Sequence, residues 1–446
     1  MSTTRKLVQL AFEKSLKAVD SRSAMRDALS VTPTHLKILN SSSFPISNLT
    51  KIILVSFGKA SIQMASGAQD VFKNFQKTSG NLKTFILAPE SQKTSLEISK
   101  NLNFTEIWFG AKNNLPDQDS VDGTKHLIRQ IQKEDSENTV FIFLISGGGS
   151  ALLTAPRDSV TLAEKLTTIK ILQAHGARIQ ELNAKGSSIS LIISDVIGNP
   201  IDLIASGPTV IQKNPDGVRI SEILKNLRIH ESDLPESVQK VLKEKDEPVP
   251  SPLHLENHII SSNDFALRAA SESLTSSGFH TKIVTSSLSG NAAEIGQKFA
   301  DYIQNRKFEG PLFESLGPQE LQYPMALLFG GETTVILAKN PGKGGRNQEM
   351  VLSLLDSLKS KNLDPKNLKK FTFLSAGSDG QDGPTDAAGA IISEEDLLNP
   401  MTSMASDFLK NSDSFNFWKN FNGGASHLKS GPSGTNVMDI QILILE

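Results

Sequence analysis

The sequence predicts an α/β fold in two domains, a parallel sheet with crossover helices followed by a mixed sheet. Three observations carry this. The chain has 446 residues, too many for one ordinary domain. Short apolar runs alternate with helical patterns along most of it, the rhythm of strands joined by crossover helices. A charged, proline-rich stretch, KEKDEPVPSPLHL over residues 243–255, breaks that rhythm and reads as a linker. The division expected is 1–250 and 251–446.

Taken in order, residues 1–28 mix acids and bases at helical spacing and read as the first helix. Ile52–Phe57, Thr84–Leu87, Thr105–Phe109, Val140–Ile145 and Ser190–Ser194 read as strands buried on both faces. Ser61–Phe75, Val121–Gln132 and Thr161–His175 read as the helices between them. After the linker come strand His258–Ser262, helix Asp264–Ser276, strand Thr281–Ser286 and helix Asn291–Asn305. Arg306–Tyr323 reads as a surface loop. Strands follow at Met325–Phe329, Thr333–Leu337, Phe371–Ser375 and Ile440–Leu445. The turn Gly330-Gly331-Glu332 is too short for a crossover, so the strands on either side of it are expected to pair antiparallel.

Composition excludes several classes. With 46 basic and 48 acidic side chains the net charge is −2, without the basic excess of a nucleic-acid binder. Local positive groups still suit small anionic ligands. There is no cysteine, which removes disulfides, thiolate metal sites and cysteine nucleophiles. No apolar run approaches the ~18 residues of a membrane span. The N-terminus has neither the apolar core of a signal peptide nor the acid-poor composition of a transit peptide. The expectation is a cytoplasmic enzyme, with a mitochondrial location less favoured. No HExxH or paired-histidine spacing points to zinc.

Ligands of open parallel sheets sit at the carboxyl ends of strands, near helix N-termini, and the glycines gather there. Gly58-Lys59-Ala60 follows the first strong strand and opens a helix, so Lys59 suits a phosphate or a transferring charge; the same turn also occurs as plain structure. Ser146-Gly147-Gly148-Gly149-Ser150 exposes backbone N–H groups as an anion nest, or is a flexible turn. Asp195, at a strand end, can bind Mg²⁺, accept a hydroxyl proton or cap the next element. Glu332 stands in the second glycine turn. Lys343, Arg346 and Asn347 lie on a basic loop running into a helix, suited to a triphosphate or a carboxylate, or simply solvated. The stretch Ser378-Asp379-Gly380-Gln381-Asp382-Gly383 offers hard oxygen ligands on a tight loop, as Mg²⁺ requires, or is an acidic surface turn.

Together, GKA, SGGGSALL, SDVIGNPIDLIASGPT, GGETTV, GKGGRNQE, SAGSDGQDGPTDAAGA and SGTNVMD, in this order over nearly the whole chain, resemble the glycerate kinases that carry a C-terminal MOFRL domain. The resemblance implies a Rossmann-like N-terminal domain, a mixed-sheet C-terminal domain and an active site in the cleft between them. It implies ATP, Mg²⁺ and D-glycerate as reactants and 2-phosphoglycerate as product, in a monomer or homodimer. By motif, Lys59, Asp195 and Arg346 are the expected catalytic groups. Gly147, Gly148, Gly149, Ser150, Glu332, Lys343 and Asn347 would bind the nucleotide, and Asp379 and Asp382 the metal.

One departure from the family pattern stands out. Relatives carry a longer segment between the helix corresponding to Gly176–Asn183 and the strand Ser190–Ser194, with an Arg-Lys pair and a Lys-Gly-Gly turn. Here only Ala184-Lys185-Gly186-Ser187-Ser188 remains. The loss makes a catalytically impaired nucleotide- or glycerate-binding isoform the alternative, and a hydroxypyruvate reductase is a separate further reading. The latter fits less well, because GxGxxG is missing after the first strand.

Overall fold

The computed structural model describes residues 3–39, 42–79, 81–93, 105–157, 159–172, 187–210, 229–243, 254–305, 322–360 and 369–446. They form two compact units. One comprises Ser21–Ser194 and Asn199–Ile260, the other Met1–Asp20, Asp195–Gly198 and Ser261–Glu446. The chain thus begins in the unit where it ends. The linker expected at 243–255 and the loop Arg306–Tyr323 lie almost wholly outside the described residues, and of the shortened segment 184–188 only Ser187 and Ser188, at the start of a strand, lie within them.

In the first unit a small antiparallel sheet comes first, from β1 (Leu29–Val31), β2 (His35–Ile38) and β3 (Ser42–Pro45). The main sheet follows, from β4 (Lys51–Phe57), β5 (Leu82–Pro89), β6 (Glu106–Gly110), β7 (Thr139–Ile145), β8 (Ser187–Ile193) and β9 (Leu255–Ser261). Its spatial order is β6-β5-β4-β7-β8-β9, and the pairs β6–β5, β5–β4, β4–β7 and β7–β8 are all parallel. Numbered from β4, that is 3-2-1-4-5-6, the doubly wound Rossmann order. Both faces of β4 and β7 are buried, which is why their sequences run IILVSF and VFIFLI without alternation. Helices Ser61–Ser79 and Gln118–Glu134 make the crossovers. The second starts at Asp117, whose carboxylate accepts the Ser120 N–H at 2.8 Å.

The second unit holds a mixed sheet of β10 (His280–Leu288), β11 (Met325–Gly331), β12 (Phe371–Gly377), β13 (Gly389–Ser393), β14 (His427–Leu428) and β15 (Asp439–Leu445). Its order is β10-β11-β15-β12-β13-β14. Only the β10–β11 pair is parallel. The strand made last therefore lies in the middle. Helices Ala292–Asn305 and Arg346–Ser360 cover it, with Phe299, Phe329, Phe373 and Trp418 in one buried cluster. The N-terminal helix Thr3–Ala18 belongs to this unit through Arg5. Its guanidinium donates to Asp396 Oδ2 at 3.0 Å, and to the Ile391 carbonyl and Ser426 Oγ at 2.7 Å each.

Two expectations are corrected. The strand read after the linker, His258–Ser262, is β9, the sixth strand of the first sheet rather than part of the second. Thr333–Leu337 is not a strand returning along β11. Both edges of β11 are already taken, by β10 and β15, so a hairpin partner has nowhere to pair. Only Thr334 makes an isolated bridge, to Asn291, and Ile336 and Leu337 are exposed. Among the described residues no helix is long and apolar enough to cross a membrane.

Candidate active site

In the Rossmann order the strand sequence reverses between β4 and β7, and the crevice at their carboxyl ends is where such sheets bind ligands. Phe57 at the end of β4 is level with Ile145 of β7, which is level with Ile192 of β8. Gly58 follows with φ of 114°. A Cβ on it would fall 2.3 Å from Ser146 Oγ and 2.4 Å from the Ser146 carbonyl oxygen, so only glycine lets the two strand ends come this close. The approach is fixed by two hydrogen bonds. Lys59 N–H donates to the Gly147 carbonyl at 2.8 Å and Ala60 N–H to Ser146 Oγ at 2.9 Å.

The aliphatic stem of Lys59 then lies on Gly148, whose φ is 76° and whose Cβ would sit 3.0 Å from Lys59 Cγ. Lysine and glycine loop thus form one surface. Beside it Ser150 Oγ and Ser206 Oγ are 2.8 Å apart. Asn199, Ala205 and Ser206 take left-handed φ values of 54°, 49° and 64°, the strained backbone that accumulates at functional sites. Lys59 and Gly147–Ser150 are thereby brought together. Asp195 follows β8 by two residues and groups with the second unit.

In the second unit, β15 runs antiparallel to both neighbours. The carboxyl ends of β11 and β12 therefore meet its start, with Gly331 and Gly377 each paired to Asp439. The Asp439 side chain is fully buried and takes Arg346 Nε at 2.6 Å and Nη2 at 2.9 Å. Arg346 Nη1 reaches Glu332 Oε1 at 2.8 Å. Burial pushes the Asp439 carboxyl up to about 6, against the pull of Arg346. Burial also works against the Arg346 charge, but the carboxylates of Asp439, Glu332 and Asp382 raise its pKa above the ordinary value.

Asn347 Nδ2 donates to Asp382 Oδ1 at 3.2 Å, while its Oδ1 accepts Ser375 Oγ–H at 2.6 Å. Asp382 is buried and receives N–H groups of Asn347 and Gln348 at the start of helix Arg346–Ser360. Its pKa is raised by burial in spite of those bonds. Glu349, behind it, is pushed up to about 7 by burial and by Asp382. Asp379 accepts the Gln381 N–H at 3.0 Å. A Cβ on Gly377 would lie 3.2 Å from Asp379 Oδ1 and 3.5 Å from Asp439 Oδ1, so these two carboxylates flank one glycine. Lys343 is pinned by its backbone, N–H to Asp413 Oδ1 at 2.8 Å and carbonyl to Phe415 N–H at 2.9 Å, and its side chain is exposed.

His427 is held at about 4 by burial and by Lys429, so its ring is neutral at pH 7. Gln348 Nε2 donates to Asp382, which leaves Oε1 to accept from His427 Nε2–H at 3.0 Å and fixes the tautomer. Asp439, Gln348 and Glu349 were not singled out by sequence reasoning. For Asp439 the available signal was an acid at the first position of a buried strand, at the end of the motif SGTNVMD. Among the described residues no group of three or more His, Asp or Glu is arranged to hold a metal ion by itself.

Comparison with known proteins agrees with this architecture. A model described as a domain of unknown function (DUF4147) matches residues 7–185 and 184–243, and the MOFRL family matches 325–439. The break between the two pieces of the first match falls at the shortened segment. An uncharacterized protein of Caenorhabditis elegans is 55% identical over 99% of both chains. The D-glycerate 2-kinase of Thermotoga maritima is 32% identical over 98% of this chain and 97% of its own. A crystal structure of the glycerate kinase of Thermotoga maritima superimposes with a TM-score of 0.75 at 28% identity, covering all of both chains. The chain belongs to the glycerate kinase family, with a MOFRL domain at its C-terminal end.

Proposed function

We propose that this protein is a glycerate 2-kinase, transferring the γ-phosphoryl group of ATP to the 2-hydroxyl of D-glycerate. The observation that carries this reading is Lys59 laid along the glycine loop at the β4–β7 reversal. A cation and backbone N–H groups meet there at the place where a doubly wound sheet takes phosphates. The donor set fits a nucleotide.

In the reaction the glycerate hydroxyl oxygen attacks the γ-phosphorus, and the bond from that phosphorus to the β-bridging oxygen breaks. ADP leaves, and the hydroxyl proton passes to a base, for which Asp195 is the candidate. Lys59 offsets charge on the transferring group, and Arg346 holds an anionic group of a reactant. Mg²⁺ would be held by a carboxylate of this loop together with the nucleotide, and would supply charge neutralisation to the transferring phosphate. Asp379 is the carboxylate expected to reach it, since both oxygens of Asp382 already accept amide N–H bonds.

The test is incubation with ATP, Mg²⁺ and D-glycerate. ADP release that requires glycerate, with phosphorus NMR placing the phosphate on carbon 2, is the expected result. No glycerate-dependent ADP would sink the reading, and NADH oxidation with hydroxypyruvate would replace it with a reductase.

A further inference from the structure

The guanidinium of Arg346 is shared unequally between two carboxylates. Asp439 takes the Nε and Nη2 side and is fully buried, whereas Glu332 takes Nη1 with its side chain 47% exposed. We propose that Asp439 is the positioning residue that sets Arg346, and that Glu332 keeps the place on its guanidinium that an anionic group of a substrate takes.

Asp439 is built in rigidly. Asn263 Nδ2 donates to the carbonyls of Val437 and Asp439 at 2.9 Å each, fixing the backbone around it. Asn263 can lie there because Gly330 has no Cβ; one would fall 1.7 Å from Asn263 Oδ1. Met438, between those carbonyls, has a left-handed φ of 71° and accepts the Ser378 N–H at 3.0 Å. A backbone tied down on both sides of one carboxylate holds that carboxylate, and through it the arginine, in a single orientation.

Glu332 has no such frame. Two of the five guanidinium N–H groups are hydrogen-bonded, both to Asp439, while Glu332 is held at Nη1 only as an ion pair, which leaves one N–H on Nη2 and two on Nη1 for a carboxylate or phosphate arriving at the fork end. That approach competes with Glu332 alone. Exposed ion pairs contribute only about 0–1 kcal/mol, so displacing Glu332 costs a ligand at most roughly fivefold in affinity. The buried pair is not exchanged on binding.

The inference rests on the kinase reading for its choice of ligands, D-glycerate for a carboxylate and ATP for a phosphate. Titration calorimetry of each ligand with wild type, Glu332→Gln and Asp439→Asn tests it without requiring turnover. For one of the two ligands, Glu332→Gln is expected to tighten binding by about two- to fivefold. Asp439→Asn is expected to weaken that same ligand by about tenfold or more and leave the other unchanged. The ligand affected identifies the anion. A merely structural Asp439 would weaken both alike. Equal losses for both ligands, unchanged affinity in Glu332→Gln, or a wild type that binds neither overturns the proposal. Should Asp439→Asn fail to fold, Glu332→Gln decides alone. Wild type that binds both ligands but transfers no phosphoryl group sinks the kinase reading, while the titrations still judge the clamp.

Discussion

Asp382 sits at the start of the helix Arg346–Ser360 and accepts the backbone N–H groups of Asn347 at 3.1 Å and Gln348 at 2.9 Å. It is the cap of the helix that carries Arg346. Asp382→Ala strips two buried amides of their acceptor and should cost about 2 kcal/mol, read by chemical denaturation. A midpoint equal to wild type would remove the cap from the account.

Asp379 lies on the same loop with a different task. Asp379→Asn should leave the unfolding midpoint near wild type and raise the Mg²⁺ concentration needed for half-maximal activity. An unchanged Mg²⁺ titration would deny this carboxylate a place beside the metal.

Lys59→Ala removes a charge at the transferring group and should lower kcat by about 10²–10³-fold. The circular dichroism and melting temperature should stay those of wild type, because the turn is fixed by backbone bonds to Ser146 and Gly147. Near-normal turnover would take Lys59 out of the mechanism.

Two raised carboxyl groups give pH effects of different kinds. As pH falls through about 6, Asp439 becomes neutral and Arg346 loses its buried anionic partner, so kcat/KM should show an acid limb near that value. The same limb should be missing from Asp439→Asn. Because the folded state holds this proton more tightly than the unfolded chain, protonation does not favour unfolding. Activity lost at pH 5 should therefore return on readjustment.

Glu349, pushed up to about 7, binds its proton in the folded state over a range where the unfolded chain has released it. Its contribution to stability therefore falls as pH rises from about 4.5 to 7. Glu349→Gln should melt higher than wild type at pH 8 and close to it at pH 4. A lower melting temperature at pH 8 would show that the charge is solvated or paired.

How much of this was legible in the sequence depended on how local each cause is. β4 and β7 announce themselves because a strand buried on both faces is apolar at nearly every position and shows no alternation. Lys59 and Gly147–Ser150 could be found because glycine at a strand end is demanded by close approach. Asp439 could not be recognised in the same way. Its partner is 93 positions away, and nothing nearby distinguishes it from an ordinary strand-leading acid. The small sheet β1–β3 escaped because strands of three or four residues are too short to show a period. The false hairpin at Thr333–Leu337 came from judging two neighbouring segments without knowing that distant strands had already occupied both edges of β11.

Arg5 carries a consequence for how the molecule is made. Its buried pair with Asp396 ties the first helix to a residue synthesised 391 positions later, and Arg5→Met should cost about 3 kcal/mol in equilibrium unfolding. On the ribosome, Thr3–Ala18 emerges ahead of the first unit and must wait through about 240 residues before the main body of its own unit, Ser261–Glu446, appears. At about 5–20 residues per second that is roughly 12–50 s with an apolar face uncovered. The helix is thus a natural client for chaperones during synthesis, and its capture should shorten when residues 261–446 are supplied in trans.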